Sequence, residues 1–216
     1  MDNRQLRQNV LDEIDYEPSI HAKTIGVAVD GDVVTLTGHV GNYAEKLAAE
    51  RSVRRVKGVR ALANEIEVRY PGHKQTSDDE IAQRILSILK WDAWVPLDAI
   101  QATVSSGWVT LSGTVDWQYQ RKAAEDSIRK LSGILGVINN IAIKPRLVEA
   151  DVKKKVEAAL LRSAEIEAKA IRVTIEGGNK VVLEGHVDSW NEADTAEMAA
   201  WSAPGVQSVK NRLSYA

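Results

Sequence analysis

Four histidines, His21, His39, His73 and His186, are the first candidates for metal binding or proton transfer in this chain of 216 residues. A zinc or related site would need several of them at ligand spacing, joined by a carboxylate or a thiolate. None is so spaced, and the chain has no cysteine. His39 and His186 fall at equivalent places in two copies of a repeat whose middle copy carries Thr114 there, so no shared chemistry can depend on them. Serine and aspartate are plentiful, yet no nucleophile elbow, phosphate-cradling glycine loop or His-Glu zinc helix occurs. Neither a cofactor nor a metal is expected, and the chain reads as a binder, not an enzyme.

Tryptophan and arginine carry more information. The chain holds six Trp and no Phe, and four of the six, Trp91, Trp94, Trp108 and Trp117, fall between residues 77 and 145. Trp91 and Trp94 lie in Trp91-Asp92-Ala93-Trp94-Val95-Pro96, between a helix and a strand, while Trp117 and Tyr119 open a second helix. Amphipathic rings at irregular edges suit a lipid interface or a protein hot spot. The other reading is that they close the ends of a thin core or fill contacts between units. Arg51, Arg54 and Arg55 share a helical face by their spacing, with Lys57 and Arg60 close by. Such cations either complement the C-terminal end of their helix or hold anionic headgroups. Lys153, Lys154 and Lys155 read as a solvated face.

The elements that must position these residues are written three times. Val33-Val34-Thr35-Leu36-Thr37-Gly38-His39-Val40 returns as Trp108-Val109-Thr110-Leu111-Ser112-Gly113-Thr114-Val115 and as Lys180-Val181-Val182-Leu183-Glu184-Gly185-His186-Val187. Alternating apolar residues predict a strand with one buried face. Gly38, Gly113 and Gly185 inside it predict a close approach, read as the place where a helix crosses the sheet. A helix precedes each copy, on Leu6, Val10, Leu11 and Ile14, then on Ile81, Ile85, Leu86 and Leu89 behind a capping box at Ser77-Asp78-Asp79-Glu80, then on Val152, Val156 and Leu160. A first strand and a Gly-containing hairpin link follow. Beyond the organising strand comes an alanine-striped helix that is expected to stop at Gly58, Gly133 or Gly205, each 20 positions past its strand glycine. A last strand runs over 59–68, 134–143 and 206–215, with Asn64, Asn139 and Asn211 inside it expected to make local side-chain to backbone bonds.

This order, with V-T-L-x-G-x-V and then G-V-x-x-V-x-N-x-I, resembles the BON domain family (bacterial OsmY and nodulation) in three tandem copies, at 1–70, 77–145 and 146–216. The third copy departs from the pattern at Lys180-Val181-Val182-Leu183-Glu184-Gly185 and at Leu213. The resemblance implies an α+β fold of three small α-β-β-α-β two-layer sandwiches, each a three-stranded mixed sheet with two helices on one face. It also implies a non-enzymatic role in binding phospholipid or envelope proteins, often under osmotic or other stress. Better-known relatives enter the periplasm behind signal sequences; the opening Met1-Asp2-Asn3-Arg4 has no such character, so a cytoplasmic location is expected.

Charge adds an exclusion. Basic and acidic residues number 10 and 11 in residues 1–70, 7 and 8 in 77–145, and 10 and 11 in 146–216, so no unit is basic enough for general nucleic-acid binding. The expected partners are anionic phospholipid or an envelope or stress protein. The alternative is a soluble osmotic-stress protein with a chaperone-like or ion-sensing role and no membrane contact. With both helices on one face, the other face of each sheet is expected to be bare. The middle unit's is the least charged (Trp108, Thr110, Ser112, Ile138, Ala142), and is expected to pack on a neighbouring unit or on a second copy.

Overall fold

A computed structural model of the chain describes residues 2–70, 76–144, 152–162, 171–177, 179–203 and 206–215. Residues 1–142 form one compact unit that holds two α-β-β-α-β modules, and residues 143–216 form a second that holds one. Module one contains α1 (Asn3–Tyr16), β1 (Ile25–Asp30), β2 (Val33–Val40), α2 (Tyr43–Arg55) and a last strand in two pieces, β3 (Ala61–Asn64) and β4 (Glu67–Val68). Module two repeats this with α3 (Asp78–Trp91), β5 (Ile100–Ser105), β6 (Trp108–Val115), α4 (Gln118–Ile128) and β7 (Gly136–Ile143). Module three has α5 (Val152–Arg162), β8 (Ile171–Glu176), β9 (Lys180–Val187), α6 (Trp190–Trp201) and β10 (Ser208–Tyr215).

In every module the organising strand lies in the middle of the sheet. β2 runs antiparallel to β1 and parallel to β3, and β9 does the same with β8 and β10. A parallel return needs a crossover, which the second helix supplies, so both helices cover one face. The alternation read from sequence is the observed burial: Val34, Leu36, Val40, Val109, Leu111, Val115, Val181, Leu183 and Val187 are all core. Leu6, Val10 and Ile14 of α1 and Ile81, Ile85 and Leu89 of α3 meet them at i, i+4 and i+8. Leu86, assigned to that stripe from sequence, is exposed instead, because one residue past Ile85 turns about 100° away from the core.

The strand glycines are needed for a different reason from the one expected. Gly38 and Gly113 have φ of +104° and +126°, and a Cβ on either would sit 2.1 Å from the Thr24 carbonyl oxygen or 2.0 Å from that of Ala99. What approaches most closely is the end of a single 3-10 turn (Ala22–Thr24, Leu97–Ala99) that leads into the first strand. Gly185 shares the conformation, with φ of +138°, opposite Ile171.

The expected helix stops also move. α2 and α4 end at Arg55 and Ile128, before Gly58 and Gly133; both glycines have φ of +98° and turn the chain so that the next residue, Val59 or Ile134, enters the core. Gly205 lies outside the described residues. The last strands therefore begin about two residues later than expected, at Ala61, Gly136 and Ser208. No capping box forms at Ser77: its side chain caps no backbone amide of α3 and instead bonds the Asp79 carboxylate, which it helps to hold below its usual range. Asp78 turns away to accept the Ser106 and Gly107 amides at 2.7 and 2.9 Å, tying α3 to the β5–β6 hairpin.

Two tyrosines join modules one and two. The Tyr70 hydroxyl donates to the Ile134 carbonyl, and that of Tyr43 is hydrogen-bonded to the Val137 backbone; burial pushes both phenols above their ordinary range. Each such bond contributes roughly 1 kcal/mol. The double variant Tyr43→Phe/Tyr70→Phe is expected to weaken the coupling of the two modules by about 2 kcal/mol, splitting their shared calorimetric transition; an unchanged single transition would count against this contact.

Candidate functional site

Two polar clips recur and use up much of the ionisable material. Each second helix carries an acidic or amide side chain at its third position, Glu45, Gln120 or Glu192, that reaches back to the end of the organising strand. Glu45 accepts from Gly41 N at 2.9 Å, Gln120 from the Asp116 and Trp117 amides at 3.0 and 3.1 Å, and Glu192 from Asp188 N at 2.8 Å. In return the Asn42 and Ser189 side chains accept from Glu45 N and Glu192 N. Glu45 also meets His21, whose amide and Nδ1 lie 2.7 and 2.8 Å from its Oε1.

The second clip fixes the last strand. Asn64, Asn139 and Asn211 accept through Oδ1 from Ile66, Ile141 and Leu213 N, the local bond expected from sequence. Their amide nitrogens donate to Glu50, Glu125 and Glu197 on the second helix, each 14 residues earlier. The sequence reading missed these carboxylates, although each stands 12 residues past its strand glycine. One turn on, Arg54, Arg129 and Trp201 bind the same three carboxylates.

Arg54 is thereby drawn towards Glu50 at 2.8 Å, whereas Arg55 pairs across α1 with Glu13 at 2.9 Å and Glu17 at 3.8 Å. The Arg51 charge also acts on Glu17, whose carboxyl is held below its usual range first by Ser19 and then by these arginines. Arg54 is thus paired within α2, while Arg55, with the Arg51 charge beside it, faces the carboxylates of α1 and its C-terminal end. His39 and His186 are exposed on separate modules, and His73 lies outside the described residues. Among the described residues, no three His, Asp or Glu gather in a metal-binding group.

The aromatic residues separate into two places. α3 ends at Trp91, and Asp92 accepts from Trp94 N at 2.9 Å and from the Ser127 hydroxyl of α4, pinning the loop. Val95 enters the core, which leaves the tryptophans on either side of the turn facing outward. Trp91 is 86% exposed, Trp94 64% and Tyr119 49%. Trp94 and Tyr119 meet edge to face, with centroids 5.5 Å apart and planes at 87°. Trp117, at the N-terminal boundary of α4, is half-buried. Trp91 and Trp94 therefore do not close the core; they and Tyr119 form an outward edge beside the C-terminal end of β6.

Trp108 belongs elsewhere. It opens β6, roughly 20 Å along the strand from that edge, and its ring lies over Gly136, where a Cβ would meet Cζ3 at 2.4 Å. Trp108 is 48% exposed and Ile138 is exposed too, so among the described residues no neighbouring unit seals this part of the middle sheet. The outer face of module three is not bare as expected: Val182 is 1% exposed although it stands outside the core cluster.

Comparison with known proteins bears on the whole chain. The family model for the BON domain matches residues 2–70, 77–145 and 149–216. The osmotically-inducible protein Y of Escherichia coli (strain K12) is 29% identical over 153 residues, 67% of this chain and 74% of that protein. Two solved structures of CdsD, a structural protein of the type III secretion system of Chlamydia trachomatis, align over 98% and 99% of this chain and 92% and 98% of theirs; both are 18% identical, at TM-scores of 0.28 and 0.27.

Proposed function

The chain belongs to the BON domain family, with three copies in tandem, and from that premise we propose that it is a non-catalytic binding protein of the osmotic-stress response that contacts phospholipid interfaces through module two. The observation that carries this reading is the outward edge of Trp91, Trp94 and Tyr119, large rings left in water although the fold has a core to bury them in. Burying such a ring is worth roughly 1.5–3 kcal/mol, and indole rings favour the headgroup region of a bilayer. Similarity to an osmotically inducible protein supports the link to stress.

Among the described residues no helix is long and apolar enough to cross a membrane. The contact proposed is peripheral, made by side chains. Because Arg54 and Arg55 are already paired with Glu50, Glu13 and Glu17, the association should depend little on headgroup charge.

Co-sedimentation with phosphatidylglycerol and phosphatidylcholine vesicles, in low and high salt, tests this. The full chain is expected to pellet with both and to keep binding at high salt, and Trp91→Ala/Trp94→Ala to weaken binding at least about tenfold. No pelleting with either vesicle would defeat the reading and favour a soluble stress protein that never meets a membrane.

A further inference from the structure

We propose that the outer sheet face of module two is a second binding site, for a neutral oligosaccharide, distinct from the aromatic edge. Residues on this face alternate with the core: Gln101, Thr103 and Ser105 on β5; Trp108, Thr110, Ser112 and Thr114 on β6; Gly136, Ile138, Asn140 and Ala142 on β7. None is charged, in a chain of which 27% is charged. The corresponding faces of the other modules are wired by ion pairs, Arg69 with Glu67 in module one, and Arg212 with Glu184 and Lys180 with Glu176 in module three. Here, among the described residues, no hydrogen bond is made by the side chains of Gln101, Thr103, Thr110 and Asn140, which share the face with the Trp108 ring.

That ring is held in the orientation a sugar requires. Because Gly136 has no side chain, the Trp108 indole lies down on the sheet and does not stand up from it. A pyranose presents one face of C–H groups, which stacks on an indole, and a rim of hydroxyls, which pair with amide and hydroxyl side chains. The face offers both partners and no charge, which fits a neutral polyhydroxylated ligand and not a phosphate or a carboxylate.

Size argues against a second copy of the chain as the occupant. Three strands about 4.8 Å apart and eight residues long give a face of roughly 14 by 26 Å, on the order of 370 Å². A stable protein dimer buries about 800 Å² per partner. The face is wide enough for a chain of three to five sugar rings, by the same dimensions.

Cellotetraose and chitotetraose, titrated separately into the full chain while backbone amide shifts are followed, provide the test. At least one should give saturable shifts confined to β5–β7, weakened about tenfold or more by Trp108→Ala and largely retained by Trp108→Tyr. Gln101→Ala/Asn140→Ala, which leaves the ring in place, should weaken binding by a smaller factor. Trp108 lies over Gly136 on the face opposite the core residues Val109 and Leu111, so the fold should survive, and an unchanged core amide spectrum in the variant checks this. Absence of saturable shifts with both sugars overturns the proposal, as does binding that Trp108→Ala leaves intact. A concentration-dependent dimer abolished by Ile138→Lys would also overturn it, by giving the face to a second copy.

Discussion

Gly38→Ala and Gly113→Ala are each expected to destabilise their module by on the order of 4 kcal/mol, enough to lower its melting temperature by about 20 °C. Two penalties add. An L-residue at φ of +104° or +126° is strained wherever it is placed, and the new methyl would lie 2.1 or 2.0 Å from a backbone carbonyl oxygen. That oxygen belongs to the turn leading into the first strand, so it cannot move without breaking the pairing of Ile25 with Gly38 or Ile100 with Gly113. Gly31→Ala is the control: its φ is +58° but nothing lies within 4 Å of its Cβ, so strain alone applies, about 1 kcal/mol. Thermal denaturation followed by circular dichroism separates the cases. A Gly38→Ala protein that melts as Gly31→Ala does would refute the close-approach explanation.

Glu45→Ala is expected to cost about 3 kcal/mol, since it strands the Gly41 and His21 amides and removes a negative charge from the first turn of α2. Glu45 is 3% exposed. Desolvation alone would raise its pKa, but the hydrogen bonds from the His21 amide and ring and the Gly41 amide, with the His21 charge, outweigh it and hold the carboxyl below the usual glutamate range. A carboxyl with a lower pKa in the folded state adds stability that is complete above the unfolded value and is lost as pH falls through the folded one. The stability gap between wild type and Glu45→Gln should therefore be constant near neutrality and narrow below about pH 4.5. Gln120 does the same task in module two without a charge, so the Gln variant should fold. Urea titrations at pH 7, 5 and 3 measure the gap; one that widens towards acid would contradict the assigned direction.

The architecture was legible because three copies of one pattern shared their mistakes as well as their signals. Alternation in β2, β6 and β9 predicted the nine core residues but not the burial of Val182, and the invariant offset of Asn64, Asn139 and Asn211 predicted their local bond. What a linear reading could not supply was the third dimension at the glycines. Gly38 signalled a close approach correctly, but spacing cannot say that the neighbour is a carbonyl and not a helix. Ser77 and Glu80 read as a capping box, and the reach of Asp78 between them to the Ser106–Gly107 turn, 28 residues away, leaves no local trace.

The candidate site was legible only in part, for a related reason. Composition singled out the tryptophans of module two, yet Trp91, Trp94 and Trp108 look alike in sequence while the fold sends two to a loop edge and one to a sheet face. The Arg51, Arg54 and Arg55 spacing suggested one cationic face, and the partners that divide it, Glu50 on one side and Glu13 on the other, come from different helices. Glu45, Glu50 and their counterparts were passed over because acidic residues on helices are common; their recurrence at fixed distances from the strand glycines was the available signal.

Quenching of tryptophan fluorescence by vesicles with brominated acyl chains tests the central claim most directly. If the loop edge of module two enters the interface, wild-type emission should fall as brominated lipid is added, and Trp91→Ala/Trp94→Ala should lose most of that quenching while the protein stays folded. Quenching that is equally strong in the double variant, or absent from the wild type at saturating lipid, would contradict the account.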